Sequence, residues 1–352
     1  MRALIFHGGR TIRPDTVPDP TIVEPTDAIV QVELAGICGS DMHIYHERER
    51  GQDPGTVMGH EFVGQVVEVG ADVCRVSAGH RVASPFTTSC GACFYCLEGL
   101  TARCERGQLF GWVERGRGLH GAQAEYVRVP LADSTLVPLS DDVRSDDALL
   151  LGDVLSTGFY CARQGGIRAS DVVAVIGCGP VGLMGLIGAK EHGATTIVAV
   201  DSVAERLDRA RALGAQTVDF AQDDPLEVVR SLSEGRGADV VLELVGSPEA
   251  LRSAYRLVRP GGVISVVGVH NEDHLAFSPA EAYDKNLTFR VGRCPARHMM
   301  EALLPLVREG RYDLASVISH RLPLERGADG YAMFDEKRDG CTKVVLLPQR
   351  GP

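Results

Sequence analysis

With 352 residues, 44% hydrophobic and 24% charged, the chain has an ordinary globular composition and enough length for two domains, each with its own core. Its formal net charge of −11 argues against a nucleic-acid partner, which wants a basic face. No apolar run approaches the roughly 20 residues that span a bilayer, so no membrane partner is expected. The opening segment MRALIFHGGRTIRPD has no apolar core followed by a cleavage site, and a cytoplasmic setting with reduced thiols is expected. Residues 1 to about 150 read as β-rich, because AIVQVELAG, GQVVEVG and HRVAS are short alternating or apolar segments separated by Pro, Gly and Asp. The basic runs RERERGQ around Arg48 and RGRG around Arg115 read as solvated loops. From about residue 155, strands VVAVIG, TIVAVD, VVLELVG and VISVVGV alternate with helical stretches VGLMGLIGAKEHG and AERLDRARALGA. That alternation predicts βαβ units and a parallel sheet. HMMEALLPLVREGRYD predicts a further helix, and KVVLLP a final strand that is a candidate for returning to the first part.

In the same order, chemistry-bearing residues begin with Cys38 in AGICGSDMH and His60 in MGHEF. Glu61 follows His60 directly, and Asp153 lies downstream in LLLGDVLSTGF. Thiolate, imidazole and carboxylate can hold Zn²⁺ while water takes a fourth position, although each residue taken singly also reads as core or surface. Between them, CGACFYCLEGLTARC places Cys90, Cys93, Cys96 and Cys104 in one compact loop. Four thiolates can surround one tetrahedral Zn²⁺ with no open position, which makes this a structural metal site. A disulfide cluster is the other reading, and a reducing compartment disfavours it. Cys74, Cys161, Cys178, Cys294 and Cys341 are scattered and read as small buried hydrophobes. Strand VVAVIG then runs into Gly177-Cys178-Gly179-Pro180-Val181-Gly182 and a helix. The first glycine permits the tight turn, the second lets a pyrophosphate approach the backbone, and the third lets helix and strand pack closely. Asp201 ends the next strand about 20 residues on, where a ribose-binding acid belongs, which favours NAD over NADP. Arg206 either hydrogen-bonds the same ribose or tolerates a 2′-phosphate.

The motifs CGSDMH at Cys38, GHEFVGQVVEVG at His60, the four-cysteine loop, LSTGFY at Thr157 and VIGCGPVG together resemble the zinc-dependent medium-chain dehydrogenases. That family contains alcohol, sorbitol and threonine dehydrogenases. The resemblance covers essentially the whole chain and implies an α/β protein. A GroES-like β-rich catalytic domain of residues 1–155, completed by 294–352, is interrupted by a Rossmann doubly wound parallel-sheet domain of residues 156–293, with the active cleft between them. It implies two Zn²⁺ per chain, NAD as cofactor, and a small-molecule alcohol, or its aldehyde or ketone, as substrate. Cys38, His60 and Asp153 become ligands of the catalytic zinc. Asp153 stands where many relatives have cysteine, which makes the site harder and its zinc affinity lower. Glu61 corresponds to an acid that approaches the metal or supports it from behind. Zinc would lower the alcohol pKa, and hydride would pass to the nicotinamide. Ser40 and His43 correspond to a proton relay to solvent, with the ribose hydroxyl between them.

Phe86 corresponds to a pocket wall, and Trp112 has no assigned place. Val269 corresponds to a backbone contact to the carboxamide, and Lys343 to a pyrophosphate contact. Gly39 stands where some relatives carry a basic residue. Pyrophosphate would then lean on the helix N-terminus and Lys343, and cofactor release would be faster. Polyol or amino-alcohol (sorbitol- or threonine-type) dehydrogenases are the alternative within the family, and a non-catalytic nucleotide-binding redox sensor is the alternative outside it. Relatives suggest a homo-oligomer, a tetramer rather than a dimer.

Overall fold

The computed structural model describes residues 1–349. The chain divides into two compact units, residues 1–153 with 295–352 and residues 154–294. In the first, strands run in the order His320–Pro323, Val344–Leu347, Ala28–Ile37, Phe62–Val69, Arg81–Ser84 and Val137–Pro138, and Tyr126–Val129 also pairs with Ala28–Ile37. The central strand AIVQVELAGI is buried at all but two positions, as a strand with neighbours on both sides requires. Val30, Val32, Ile37, Phe62, Val66, Phe110 and Tyr331 meet in its core. The C-terminal strand returns to this sheet antiparallel to Ala28–Ile37, with Val344 opposite Ile37. That register brings residue 343 beside Cys38, a juxtaposition no local pattern encodes.

In the second unit, all pairs of the six-stranded sheet are parallel. Its order is Gln216–Asp219, Thr196–Asp201, Val172–Ile176, Ala238–Glu243, Val258–Val266, Thr288–Val291. Counted along the chain this is 3-2-1-4-5-6, the doubly wound order, which reverses direction between Val172–Ile176 and Ala238–Glu243. VVAVI is buried throughout because helices cover both faces of such a sheet. Helices Pro225–Leu232 and Pro248–Leu257 start with proline and are capped by the Asp224 and Ser247 side chains, which accept from Leu226 N–H and Ala250 N–H.

Two sequence expectations change. RGRG is not an irregular loop: Arg115 and Gly116, both with positive φ, turn a small hairpin between Trp112–Glu114 and Arg117–Leu119. Cys74 is exposed rather than buried. Among the described residues, no helix is long and apolar enough to cross a membrane.

Candidate active site

Cys38 follows strand Ala28–Ile37, and His60 and Glu61 directly precede strand Phe62–Val69, so pairing of these two strands brings the three side chains to one end of the sheet. Helix Ser145–Leu151 delivers Asp153 to the same place. One ligand atom from each of Cys38, His60, Glu61 and Asp153 lies within 4.8 Å of the others, and all four residues are buried. Asp153 Oδ2 is 3.4 Å from Cys38 Sγ and 3.2 Å from His60 Nε2. Burial pushes the Cys38 thiol up to about 11, with Asp153 and Glu61 adding to the effect. For His60, burial opposes charge, but Asp41 and Asp153 hold the imidazole well above 6.5. Two buried acids, a thiol and an imidazole offer one ligand atom each toward one point, a donor set suited to a divalent ion. One further atom fits that reading, since Glu61 Oε1 is buried without a hydrogen-bond partner. Soft thiolate, imidazole and carboxylate are the donor classes that zinc accepts.

Behind the ligands, His60 Nδ1 faces Asp41 Oδ1 at 3.2 Å. A carboxylate there selects the Nδ1–H tautomer and leaves Nε2 for a metal. Sequence reasoning assigned nothing to Asp41, although it stands inside the CGSDMH motif beside Ser40. Ser40 Oγ is 3.3 Å from His60 Nε2. His43 sits three residues on in the short helix Asp41–Tyr45, partly exposed. Phe86 meets the His60 ring edge-on, with centroids 6.4 Å apart. Trp112 packs against the first unit's core.

Lys343 departs from expectation. Rather than presenting its ammonium to a pyrophosphate, it is 1% exposed and ion-paired to Glu61 Oε2. The strand register explains this, because Lys343 lies just beyond the Val344–Ile37 pair and its side chain enters the buried acidic cluster. Gly39, by contrast, is exposed, and a Cβ there would meet nothing within 4 Å.

The cysteine loop closes on itself. Cys90, Cys93, Cys96 and Cys104 also bring one sulfur each within 4.8 Å. Gly91 and Gly99 take positive φ to turn the chain around them. Backbone N–H groups of Cys90 and Arg106 donate to Cys104 Sγ at 3.2 and 3.4 Å, and Cys93 N–H donates to Cys90 Sγ at 3.3 Å. N–H groups of Glu105 and Cys96 lower the Cys93 thiol to about 6, so one thiolate is available at neutral pH. Burial holds Cys96 up at about 12.

In the second unit, Gly177 has φ 87° and Gly182 packs so tightly that a Cβ would strike the Gly177 carbonyl. Gly179 is the N-cap of helix Pro180–Glu191 and supplies no side-chain cap, while Val181 lies in its first turn. Its free N–H groups are the kind that bind phosphate. Asp201 accepts from Cys178 N–H at 2.7 Å through Oδ2, and from Ser202 and Val203 N–H through Oδ1. It therefore ties the glycine turn to its strand, a structural duty invisible in the motif. Arg206 stands 3.8 Å from Asp201 Oδ2, with Nε buried and unpaired. Val269, 40% exposed, follows strand Val258–Val266, and its backbone packs on Gly246.

Known proteins match this chain along its length. Residues 24–141 match the family described as the alcohol dehydrogenase GroES-like domain, and residues 180–309 match the zinc-binding dehydrogenase family. The zinc-type alcohol dehydrogenase B of Aspergillus flavus is 41% identical, over 98% of this chain and 81% of that protein. An L-threonine 3-dehydrogenase of Bacillus licheniformis is 33% identical, over 99% of each chain. Among solved structures, the alcohol dehydrogenase TADH from Thermus sp. ATN1 superposes with a TM-score of 0.92 at 42% identity, covering 99% of each chain.

Proposed function

The chain belongs to the zinc-dependent medium-chain dehydrogenase family, and from that premise we propose an NAD-dependent alcohol dehydrogenase with one catalytic and one structural zinc per chain. The observation that carries this reading is the convergence of Cys38, His60 and Asp153 on one buried point, with Asp41 behind His60. Zinc held there supplies Lewis acidity toward an alcohol oxygen.

The protein's own groups do the rest. Cys38, His60 and Asp153 hold the ion, and Asp41 keeps the proton on His60 Nδ1. Glu61, ion-paired to Lys343 through one oxygen, keeps its other, unpartnered oxygen beside the same ligand atoms, where it can support the ion. Ser40 would accept the substrate's hydroxyl proton as it gives up its own through the ribose hydroxyl to His43, which passes a proton to solvent, a task that suits an imidazole. Phe86 forms an apolar wall beside His60. The Gly177–Gly182 turn and its helix N-terminus receive the pyrophosphate, and the Val269 backbone receives the carboxamide. Asp201 Oδ2, which among the described residues accepts only the Cys178 N–H, retains acceptor capacity for a ribose hydroxyl, whereas a 2′-phosphate would meet the carboxylate's charge. Arg206 completes the ribose contact. Reduced thiolates in both proposed metal sites suit the cytoplasm. The unpaired outer edge of strand Thr288–Val291, with Val291 59% exposed, supports a homo-oligomer. A polyol or amino-alcohol substrate is the second reading, favoured by the similarity to the threonine dehydrogenase.

The test is NADH or NADPH formation by zinc-loaded protein across simple alcohols, polyols and threonine. Turnover of simple alcohols with NAD⁺ is expected, and confinement to polyols or threonine would select the second reading. A preference for NADP⁺ would remove the role given to Asp201. Asp153→Ala should lower kcat/KM roughly 10²–10³-fold, as losing several kcal/mol of Lewis-acid stabilisation implies. The variant should hold one zinc instead of two, and unchanged turnover would refute the catalytic-zinc mechanism.

A further inference from the structure

Gln123 is fully buried, and its amide is surrounded by the segments that carry the metal ligands. Its Nε2 donates to the Gly36 carbonyl at 2.9 Å and reaches Asp41 Oδ2 at 3.4 Å. Its Oε1 accepts from the Tyr331 hydroxyl at 2.8 Å. Tyr331, also fully buried, arrives on helix Gly327–Glu336 from the C-terminal part of the chain. Burial keeps its phenol protonated far above the ordinary value of 10, so the hydroxyl has a proton to donate to Gln123 Oε1. The Gly36 carbonyl and the Asp41 carboxylate can only accept, so the amide NH2 must face them and its oxygen is left for Tyr331. The Gln123 stem fills the space above Gly59, where a Cβ would collide with it, and Gly59 immediately precedes His60. Its backbone N–H donates to the Met58 carbonyl at 2.8 Å. Asp41 Oδ2 also accepts from Cys38 N–H at 2.9 Å, while its other oxygen faces His60 Nδ1.

An amide buried only for packing would cost desolvation that Leu or Met avoids. Here each polar end meets a partner, and the partners lie beside Cys38 and His60. We propose that Gln123 and Tyr331 are positioning residues for the metal centre: together they hold Asp41 so that His60 presents Nε2 and the Cys38 turn stays in register with it. A sequence position in the middle of the first part and another near the C-terminus thereby set the affinity of a site to which neither contributes a ligand. Groups behind metal ligands commonly change affinity by about 10–100-fold when removed.

The inference rests on the reading of Cys38, His60 and Asp153 as metal ligands. Its test is metal competition on the full chain, with zinc and a chromophoric chelator, in the parent, Tyr331→Phe and Gln123→Met. Tyr331→Phe keeps the ring and removes only the hydroxyl, so it remains informative if Gln123→Met folds poorly. At least a tenfold weaker hold on one of the two zincs is expected in both variants, with the cysteine-loop zinc retained and melting temperature little changed in Tyr331→Phe. Co²⁺ substituted at the weakened site should show shifted d–d bands. Affinities within twofold of the parent would overturn the proposal, as would loss of both metals in step with the melting temperature. A parent whose metal content is unchanged by Cys38→Ala would overturn the underlying metal reading as well, and so is distinguishable.

Discussion

At Glu243 one buried carboxylate serves two loops. Its Oε1 accepts from Val245 and Gly246 N–H at 2.8 Å each, and its Oε2 is 3.1 Å from His270 Nε2. The hydrogen bond to Glu243 outweighs burial and raises the His270 imidazole above 6.5, with Glu272 contributing from the other ring nitrogen. Because the folded state favours the protonated ring, this stabilisation is complete below 6.5 and declines as pH rises through the higher folded value. Thermal melts across the mildly acidic to mildly alkaline range should show the parent losing an advantage of about 2–4 °C over His270→Gln, the shift expected for ~1 kcal/mol in a domain of this size. Parallel melting curves would show that the pair carries no such linkage. Individual residues were legible in the sequence where their chemical type sits inside a spaced motif, as at Cys38, His60 and the four loop cysteines. Asp41, Gln123, Tyr331 and His270 were not, because their roles are set by neighbours distant in sequence. Lys343 was misplaced for the same reason, its strand register turning it toward Glu61 rather than toward a phosphate.

Among the elements, the glycine turn separates two kinds of necessity. Gly182→Ala drives a methyl into the Gly177 carbonyl, which must push helix Pro180–Glu191 away from its strand and should cost about 1–3 kcal/mol of stability. A Cβ on Gly179 would meet only Arg206 Nη1, at 3.9 Å. Gly179→Ala should therefore leave stability within about 0.5 kcal/mol of the parent while obstructing the pyrophosphate's approach. Calorimetry should show NAD binding weakened in both variants and the melting temperature lowered only in the first. Equal melting temperatures would contradict the tight packing at Gly182. The strands and helices of this unit were readable because burial on both sheet faces leaves unbroken apolar runs, and helix periodicity separates them. The hairpin at Trp112–Leu119 escaped that reading, since its strands are only three residues long and its turn is rich in arginine.

For the whole molecule, a metal held by the cysteine loop only in the folded state would add stability by mass action. Free zinc at about 100 times its Kd would contribute roughly 2.7 kcal/mol. Chelation should lower the melting temperature of the parent, Cys96→Ser should abolish most of that zinc-dependent increment, and Asp153→Ala should retain it. A Cys96→Ser protein with the parent's full zinc response would show that the loop metal is not structural. Periodicity, glycine spacing and the compact four-cysteine loop are local properties, so the sequence by itself determined the α/β class, the nucleotide turn and one candidate metal set, whereas the set of Cys38, His60 and Asp153 was read from a family resemblance. Pairing of the C-terminal strand with Ala28–Ile37, the burial of Lys343 against Glu61, and the chain from Tyr331 through Gln123 to Asp41 were decided only by tertiary structure. These join residues that lie up to hundreds of positions apart, and burial in a common core is what makes such contacts strong enough to matter.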